Sequence, residues 1–153
     1  MPFSLRSSAF AADAVLPARF TCHGDGLLPP LAWSRAPARS AAFALIVEDS
    51  DAPGGMFRHF GAYNIPGDRR EWPEGSGGVV EPVEPALHDF GGSGLFPPCP
   101  PAGGGTHHYR FRLFALAAPL SFDQPPTCQG LVAMMHLRKV ILDEAVLVAT
   151  CDG

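Results

Sequence analysis

Glycine and proline interrupt this chain so often that most of its regular segments must be short. There are 17 glycines and 17 prolines among 153 residues, together about twice their ordinary frequency. They are densest from Gly75 to Gly105. A stretch of this size without regular structure is uncommon inside a compact domain and is usually functional or mobile. We therefore interpret it as an ordered, loop-rich segment that borders a site.

Two segments in the first half of the chain have the patterns of β-strands. Residues 41–48 form a nearly continuous apolar run, which is typical of a central strand covered on both faces. Residues 56–65 carry aromatic and β-branched side chains and precede a proline-glycine turn signal. Strand geometry predicts that His59 lies on the same face as Phe57 and Tyr63.

Two segments in the second half are also predicted to be strands. Residues 107–116 alternate between two kinds of side chain, which predicts that His107 and Tyr109 share the face turned toward the core. Residues 145–150 are predicted to form a short closing strand.

One helix is predicted between the last two strands. Thr127 follows two prolines and is predicted to be the N-cap, and apolar residues then recur near helical spacing as far as Ile141 and Leu142, with Asp143 close to the end. Many short strands with a single late helix predict a mainly β fold. We expect a β-sandwich of antiparallel sheets with one or two short helices, built as a single domain over residues 1–153.

Charge and apolar patterning exclude several classes of protein. The formal net charge is −4, whereas a protein that binds a nucleic-acid duplex needs a basic surface to displace counterions. No nucleic-acid partner is therefore expected. Since no apolar segment has the length of a secretory signal or a membrane span, we expect the protein to be cytoplasmic.

The cysteines are spaced far apart and include no CxxC pair; they are Cys22, Cys99, Cys128 and Cys151. This spacing favours neither a structural zinc site nor a redox motif. In the expected cytoplasmic context, we predict that all four are reduced and partly buried thiols. We expect no metal and no cofactor.

Acidic and imidazole side chains lie beside the predicted strands. Asp49 and Asp51 follow the central strand, where scaffolds commonly present a site, although aspartates also cap turns by accepting backbone N–H bonds. A lone histidine on an apolar face is more often a satisfied core residue than a ligand contact. His59 and His107, however, both adjoin the glycine- and proline-rich loop, which favours a shared pocket. Residues 94–106 would form its remaining wall, or else an ordinary surface Ω-loop.

Six segments also occur in a characteristic order along nearly the whole chain. They are Pro29-Pro30-Leu31-Ala32-Trp33, Asp49-Ser50-Asp51-Ala52-Pro53, Arg58-His59-Phe60, Glu71-Trp72-Pro73-Glu74-Gly75, Pro98-Cys99-Pro100-Pro101 and His107-His108-Tyr109-Arg110-Phe111. This ordered set resembles the phosphatidylethanolamine-binding proteins, and within them the bacterial and archaeal branch called Raf kinase inhibitor-like. The DxDAP box followed by PP and HxY is a specific combination.

The resemblance implies a sandwich of two antiparallel sheets and a pocket for phosphate, phosphorylethanolamine, acetate or similar anions. It also implies a cis peptide bond at Ala52-Pro53 and, from the bacterial relatives, a homodimer. Because some relatives inhibit kinases or proteases, a protein partner is a further expectation. The pocket residues that it implies are Asp49, Asp51, His59, Pro100, Pro101, His107 and Tyr109.

The sequence departs from the family pattern at three positions. Ser50 replaces the usual proline between the two aspartates, and Phe60 replaces the common tryptophan after the histidine. His108 stands where arginine normally precedes the tyrosine, so a fork-shaped and permanently charged donor is missing. If that arginine normally orients an aspartate, the carboxylate is either held more loosely here or held by His108.

These residues suggest a mechanism and two alternatives. We hypothesise that Asp49 or Asp51 favours protonated imidazoles, which moves the pKa of His59 and His107 toward neutral pH and lets both rings donate to an anion. The aspartates would also suit an ammonium group.

One alternative is a hydrolase or metal enzyme that uses the same side chains, although no HExxH or GxSxG motif is present. The other is a protein-interaction module in which the pocket is secondary.

Overall fold

The computed structural model describes residues 2–152. Those residues form eight strands, one turn of 3-10 helix and one α-helix. The strands are β1 Ser4–Arg6, β2 Leu31–Ser34, β3 Ala42–Asp49, β4 Phe57–Pro66, β5 Glu71–Trp72, β6 Glu84–Ala86, β7 Thr106–Leu116 and β8 Ile141–Asp152; the 3-10 turn is Ala18–Phe20 and the helix α1 is Cys128–Leu137.

The strands pair in antiparallel fashion to form two sheets. The smaller sheet has the order β1-β2-β5, and the larger has the order β6-β4-β3-β7-β8. This confirms the predicted mainly β fold with two antiparallel sheets. Every residue of β3 is buried, because a central strand with a layer on each side has no face left for solvent.

The two faces of β3 pack against different layers. Phe43 and Leu45 belong to the cluster that also contains residues of the smaller sheet. Ile46 points to the opposite face and packs in a second cluster with Leu131 and Met135 of α1. Since full burial of one such side chain contributes about 1.5–3 kcal/mol, these two clusters fix the position of β3 and of the site at its end.

The helix begins where the sequence predicted and ends earlier. The Thr127 hydroxyl accepts a hydrogen bond from the Gly130 backbone N–H at 2.9 Å, which confirms the predicted N-cap. The expected extension to Ile141 and Leu142 is wrong, because Lys139 adopts the left-handed conformation with φ of 56° and the chain then enters β8. Among residues 2–152, no helix is both long enough and apolar enough to cross a membrane.

The last strand is longer than its apolar centre predicted. Residues 145–150 lie inside β8, which starts four residues earlier, at Ile141. Strand β8 pairs with β7 from Thr106 to Leu116. The alternation predicted for β7 is confirmed, since His107 and Tyr109 are buried while His108 between them is exposed.

The prediction of four free thiols is wrong for two of them. Cys22 and Cys99 form a disulfide, although 77 residues separate them in sequence. The fold brings the two segments together, and the Cys22 backbone N–H donates to the Pro98 carbonyl at 2.9 Å. Cys128 and Cys151 are free and buried, as predicted.

Candidate functional site

A pocket of about 410 Å³ lies where the ends of three strands of the larger sheet meet. Strand β3 ends at Asp49, and the register of the sheet places this residue opposite Phe57 of β4 and Tyr109 of β7. Pairing of neighbouring strands thus brings side chains from distant parts of the chain to one edge. Residues Phe96, Cys99, Pro100 and Pro101 form the other side of the pocket.

Asp49 and His107 form a buried pair in this pocket. The Nδ1 atom of His107 lies 2.6 Å from Oδ2 of Asp49, and the two side chains are only 3% and 4% exposed. Because an ionised carboxylate can only accept hydrogen bonds, Nδ1 is the donor. Nε2 of His107 is therefore the ring atom that remains for another partner.

The second oxygen of Asp49 holds the chain after the strand. Oδ1 accepts a hydrogen bond from the Asp51 backbone N–H at 2.8 Å, a side-chain contact to the residue two positions later that is typical of an aspartate turn. The turn cap that the sequence offered as one interpretation is thus present at Asp49, and the same residue lines the pocket. Its carboxylate is fixed through both oxygens.

His59 reaches the pocket through a β-bulge. In the register of β3 and β4, Val47 faces Phe60 and Glu48 faces Arg58, so that His59 is the extra residue on β4. A bulge re-aims the side chains around it and breaks the alternation of the strand. The predicted common face is therefore only partly correct: Phe57 lines the pocket with His59, whereas Tyr63 packs in the cluster around α1.

The ring of His59 is oriented by the loop that covers it. Nδ1 lies 2.7 Å from the Phe96 carbonyl oxygen, and because a carbonyl can only accept, Nδ1 donates. Burial lowers the pKa of His59, and this outweighs the opposing effects of the Phe96 carbonyl and the charge of Asp49. The expectation that a nearby aspartate would dominate its pKa is wrong, since desolvation of the imidazolium is the larger effect.

Tyr109 lies between the two imidazoles and is buried. Its ring stacks on His107 with a centroid distance of 6.5 Å and meets the edge of His59 at 5.4 Å. Burial, assisted by the charge of Asp49, raises the pKa of the Tyr109 hydroxyl far above its ordinary value. The hydroxyl therefore stays protonated and can donate a hydrogen bond.

Asp51 lies outside the pocket, in contrast to the prediction from the resemblance. It does not line the cavity, and its side chain is 42% exposed. Oδ2 of Asp51 accepts from both the backbone N–H and Nδ1 of His108, at 2.9 and 2.7 Å, and the hydrogen bond from the His108 side chain lowers the pKa of Asp51. The structure thus brings together Asp49, His59, Pro100, Pro101, His107 and Tyr109, and excludes Asp51 from that group.

Comparison with known proteins identifies the family. A family model described as phosphatidylethanolamine-binding protein matches residues 6–152. The chain belongs to the phosphatidylethanolamine-binding protein family. LppC of Mycobacterium tuberculosis, named as a candidate lipoprotein, is 39% identical over 157 aligned positions that cover 99% of this chain and 73% of LppC.

Two further relatives support this assignment. A UPF0098 protein of Pyrococcus abyssi is 38% identical over 135 positions, covering 85% of this chain and 75% of the relative. The solved structure of Escherichia coli YbcL, described as a member of the mammalian family, superposes with a TM-score of 0.90 at 26% identity. That superposition covers 99% of this chain and 98% of YbcL.

The structure answers two expectations drawn from the phosphatidylethanolamine-binding proteins: one is met, and the other is wrong. His108 replaces the usual arginine and holds Asp51, which is one of the two arrangements that the substitution predicted. The expected cis peptide bond at Ala52-Pro53 is wrong, because the cis bond among residues 2–152 lies at Glu81-Pro82. Ala52 and Pro53 nevertheless line the pocket.

Sequence reasoning missed an aromatic wall at the mouth of the pocket. Phe57, Phe90 and Phe96 line the pocket with mutual centroid distances of 4.6–5.8 Å, and Phe90 is 68% exposed. The signal available was a pair of phenylalanines inside a glycine-rich loop, where no strand or helix pattern explains them. The pocket therefore combines a polar base with an apolar rim.

Proposed function

We propose that the pocket binds a small ligand with an anionic group, such as phosphate, phosphorylethanolamine or acetate. One observation carries this proposal: Nδ1 of His107 and Nδ1 of His59 are both occupied by protein acceptors in one pocket, which leaves both Nε2 atoms for a ligand. The protonated hydroxyl of Tyr109 supports it as a further donor. Membership of the phosphatidylethanolamine-binding protein family supports a ligand-binding role.

Binding of an anion should be coupled to proton uptake. A neutral imidazole that donates through Nδ1 has only a lone pair at Nε2, which repels an anion. The ring must gain a proton, or the ligand must supply one, as the hydroxyl of a phosphate monoanion can. The ring of His107 would lie between the Asp49 carboxylate and the ligand, so that each ring nitrogen would face an acceptor. Burial opposes the charge on His59 until a ligand offsets it.

The amino group of phosphorylethanolamine has a different partner from the one expected. Asp51 lies outside the pocket, and both oxygens of Asp49 already accept hydrogen bonds. The aromatic wall of Phe57, Phe90 and Phe96 offers ring faces, which attract ammonium groups by about 0.5–1 kcal/mol at exposed sites. The zwitterion would thus place its phosphate on the imidazoles and its ammonium at the rim.

Isothermal titration calorimetry with phosphorylethanolamine, phosphate and acetate tests the proposal. The wild-type chain should bind at least one of the three at a single site, and His107→Ala should weaken that binding about tenfold or more, because a charge-assisted hydrogen bond contributes about 1.5–3 kcal/mol. His136→Ala, on the exposed side of α1, is the matched control and should bind like the wild type. Binding that is equal in all three proteins would contradict the proposed site.

A hydrolase is the second candidate function, and the buried Asp49–His107 pair favours it. A carboxylate that orients an imidazole through Nδ1 leaves Nε2 able to accept a proton, as in general-base catalysis of attack by water. Release of nitrophenol from nitrophenyl phosphate or nitrophenyl acetate by the wild type, lost in His107→Ala, would support it. Metal analysis of the purified protein tests whether zinc takes part.

Three expectations drawn from the resemblance or the sequence stay predictions. They are a kinase or protease as partner, a homodimer and a location in the cytoplasm. Sedimentation of the purified chain tests the dimer. The Cys22–Cys99 disulfide favours an oxidising compartment instead of the cytoplasm. Thiol labelling in intact cells would show whether the two cysteines are oxidised or reduced where the protein resides.

A further inference from the structure

Cys22, His23 and Cys99 lie together on the surface beside the pocket, and Cys99 is shared with its lining. Their sulfur and imidazole nitrogen atoms are all within 4.8 Å of one another, and all three residues are exposed. Two thiolates and one imidazole form a set of ligands that suits zinc, with water in the fourth tetrahedral position. In the structure the two sulfurs are joined as a disulfide, so that they cannot act as thiolates.

We propose that Cys22, His23 and Cys99 form a binding site for a thiophilic divalent cation such as Zn²⁺ when their disulfide is reduced. The chemistry requires a dithiol as reductant. Two electrons and two protons pass from the dithiol to the protein, the Cys22–Cys99 bond breaks to give two thiols, and the dithiol becomes a disulfide. Binding of the cation then releases the two thiol protons to solvent.

The backbone keeps the two segments together without the disulfide. The Cys22 N–H donates to the Pro98 carbonyl at 2.9 Å. Gly26 lies so close to the ring of Pro97 that an added Cβ would be 2.9 Å from Cγ. Both contacts join residues that lie at most four positions from Cys22 or Cys99, and neither involves a sulfur atom. The thiols should therefore stay near one another after reduction.

His23 is also held in place by the local chain. The His23 backbone N–H donates to the Thr21 hydroxyl at 3.2 Å, and this hydroxyl donates to the Ala18 carbonyl at 2.8 Å. Thr21 itself is only 1% exposed. The turn thus presents the imidazole beside the sulfurs on a fixed backbone. In a tetrahedral zinc site the two sulfurs would lie about 4 Å apart, a separation that small rotations of the cysteine side chains supply from a Cα–Cα distance of 5.3 Å.

The site adjoins the proposed ligand pocket. Cys99 also lines that pocket and directly precedes Pro100 and Pro101. A cation bound by both cysteines would therefore replace the disulfide in linking this side of the pocket to the segment around Cys22. Cys22, His23 and Cys99 would bind the cation whatever ligand the pocket takes.

Metal titration of the full chain in two redox states tests the proposal. Protein reduced with a dithiol, then freed of it without oxygen, is titrated with Zn²⁺ in competition with a coloured chelator; Co²⁺ in parallel reports thiolate ligation by its near-ultraviolet charge-transfer band. We expect one cation per reduced chain, with the thiolate band, and no such site in the oxidised chain.

Two histidine variants show whether zinc binds at Cys22, His23 and Cys99 or at other thiols of the chain. Because His23 is exposed, His23→Ala should leave the disulfide and the fold intact. It should weaken zinc binding at least about tenfold, since loss of even an outer-shell partner costs that much. His136→Ala, also exposed and placed on α1, should bind like the wild type. The proposal is overturned if the reduced wild type takes up no zinc, if the oxidised chain binds equally well, or if His23→Ala binds like the wild type.

Discussion

Asp49 and Asp51 lie two positions apart, and each accepts a hydrogen bond from one of two consecutive histidines on opposite sides of the pocket wall. Asp49 is paired with His107 in a buried setting, whereas Asp51 is paired with His108 in solvent. The strand alternation of β7 sends the two imidazoles to opposite faces. The same kind of contact therefore has different consequences for stability, because only the inner pair is shielded from water.

Replacement of His107 should destabilise the protein more than replacement of His108. His107→Ala leaves a buried carboxylate without its partner, which costs about 3–5 kcal/mol for a buried pair. His108→Ala removes a partner from a carboxylate that water can solvate, and should leave the urea midpoint almost unchanged. Urea denaturation followed by circular dichroism measures both. Equal midpoints for the two variants would contradict the buried character of the inner pair.

His59 should make the fold less stable in mild acid. Burial holds its pKa below the ordinary value of 6.5, so as the pH falls from about 6.5 the unfolded chain takes up a proton that the folded chain resists. The free energy of unfolding should therefore fall, until the pH passes the lowered pKa. His59→Gln can still donate to the Phe96 carbonyl but does not titrate, so this variant should lose less stability than the wild type.

Chemical denaturation between pH about 7 and about 5 checks this pH dependence. His136→Gln is the control, because that residue is exposed on α1, and its pH dependence should match the wild type. A slope for His59→Gln that is as steep as that of the wild type would show that another group is responsible.

The aromatic rim should distinguish phosphorylethanolamine from phosphate. Phe90→Ala removes an exposed ring that contacts Phe57 and Phe96, and should weaken phosphorylethanolamine binding by about 0.5–1 kcal/mol, or roughly two- to fivefold. Phosphate, which has no ammonium group, should bind as before. Val80→Ala, at another exposed apolar position, is the control in calorimetry. Equal weakening of both ligands would argue against an ammonium contact.

Gly61 should be intolerant of a side chain because β4 contacts α1 there. An added Cβ would lie 2.5 Å from Cys128 Sγ and 2.9 Å from the Ala86 side chain, so Gly61→Ala should cost about 1–3 kcal/mol by overpacking. In a Cys128→Ala background the same change should cost less, since Sγ is gone. Gly75→Ala, with open space around the added Cβ, should change stability by no more than about 0.5 kcal/mol. Thermal unfolding compares Gly61→Ala, Cys128→Ala, the double variant and Gly75→Ala with the wild type.

Local patterns predicted the strands around the site well. The apolar run of β3 and the alternation of β7 are encoded within single segments, and both appear in the structure. The helix end was not predictable from spacing, because Ile141 and Leu142 continue the apolar pattern and Lys139 breaks the helix by its backbone conformation. The disulfide was missed because its cysteines come together only in the tertiary fold.

The sequence predicted most of the residues that line the candidate site, but only part of their arrangement in space. Asp49, His59 and His107 converge as expected, since strand pairing brings their segments to one edge. Asp51 was misplaced because the chain turns immediately after Asp49, a turn that the Asp49 carboxylate itself stabilises. The rim position of Phe90 could not be read from the sequence, since loops have no periodic pattern.

The most direct test of the account is the nuclear magnetic resonance of the histidine ring nitrogens during titration with phosphate. If the pocket binds an anion through the two free Nε2 atoms, saturating phosphate should shift the Nε2 signals of both His59 and His107, and should leave those of His136 unchanged. No phosphate-dependent shift at either His59 or His107 would contradict the proposed anion site.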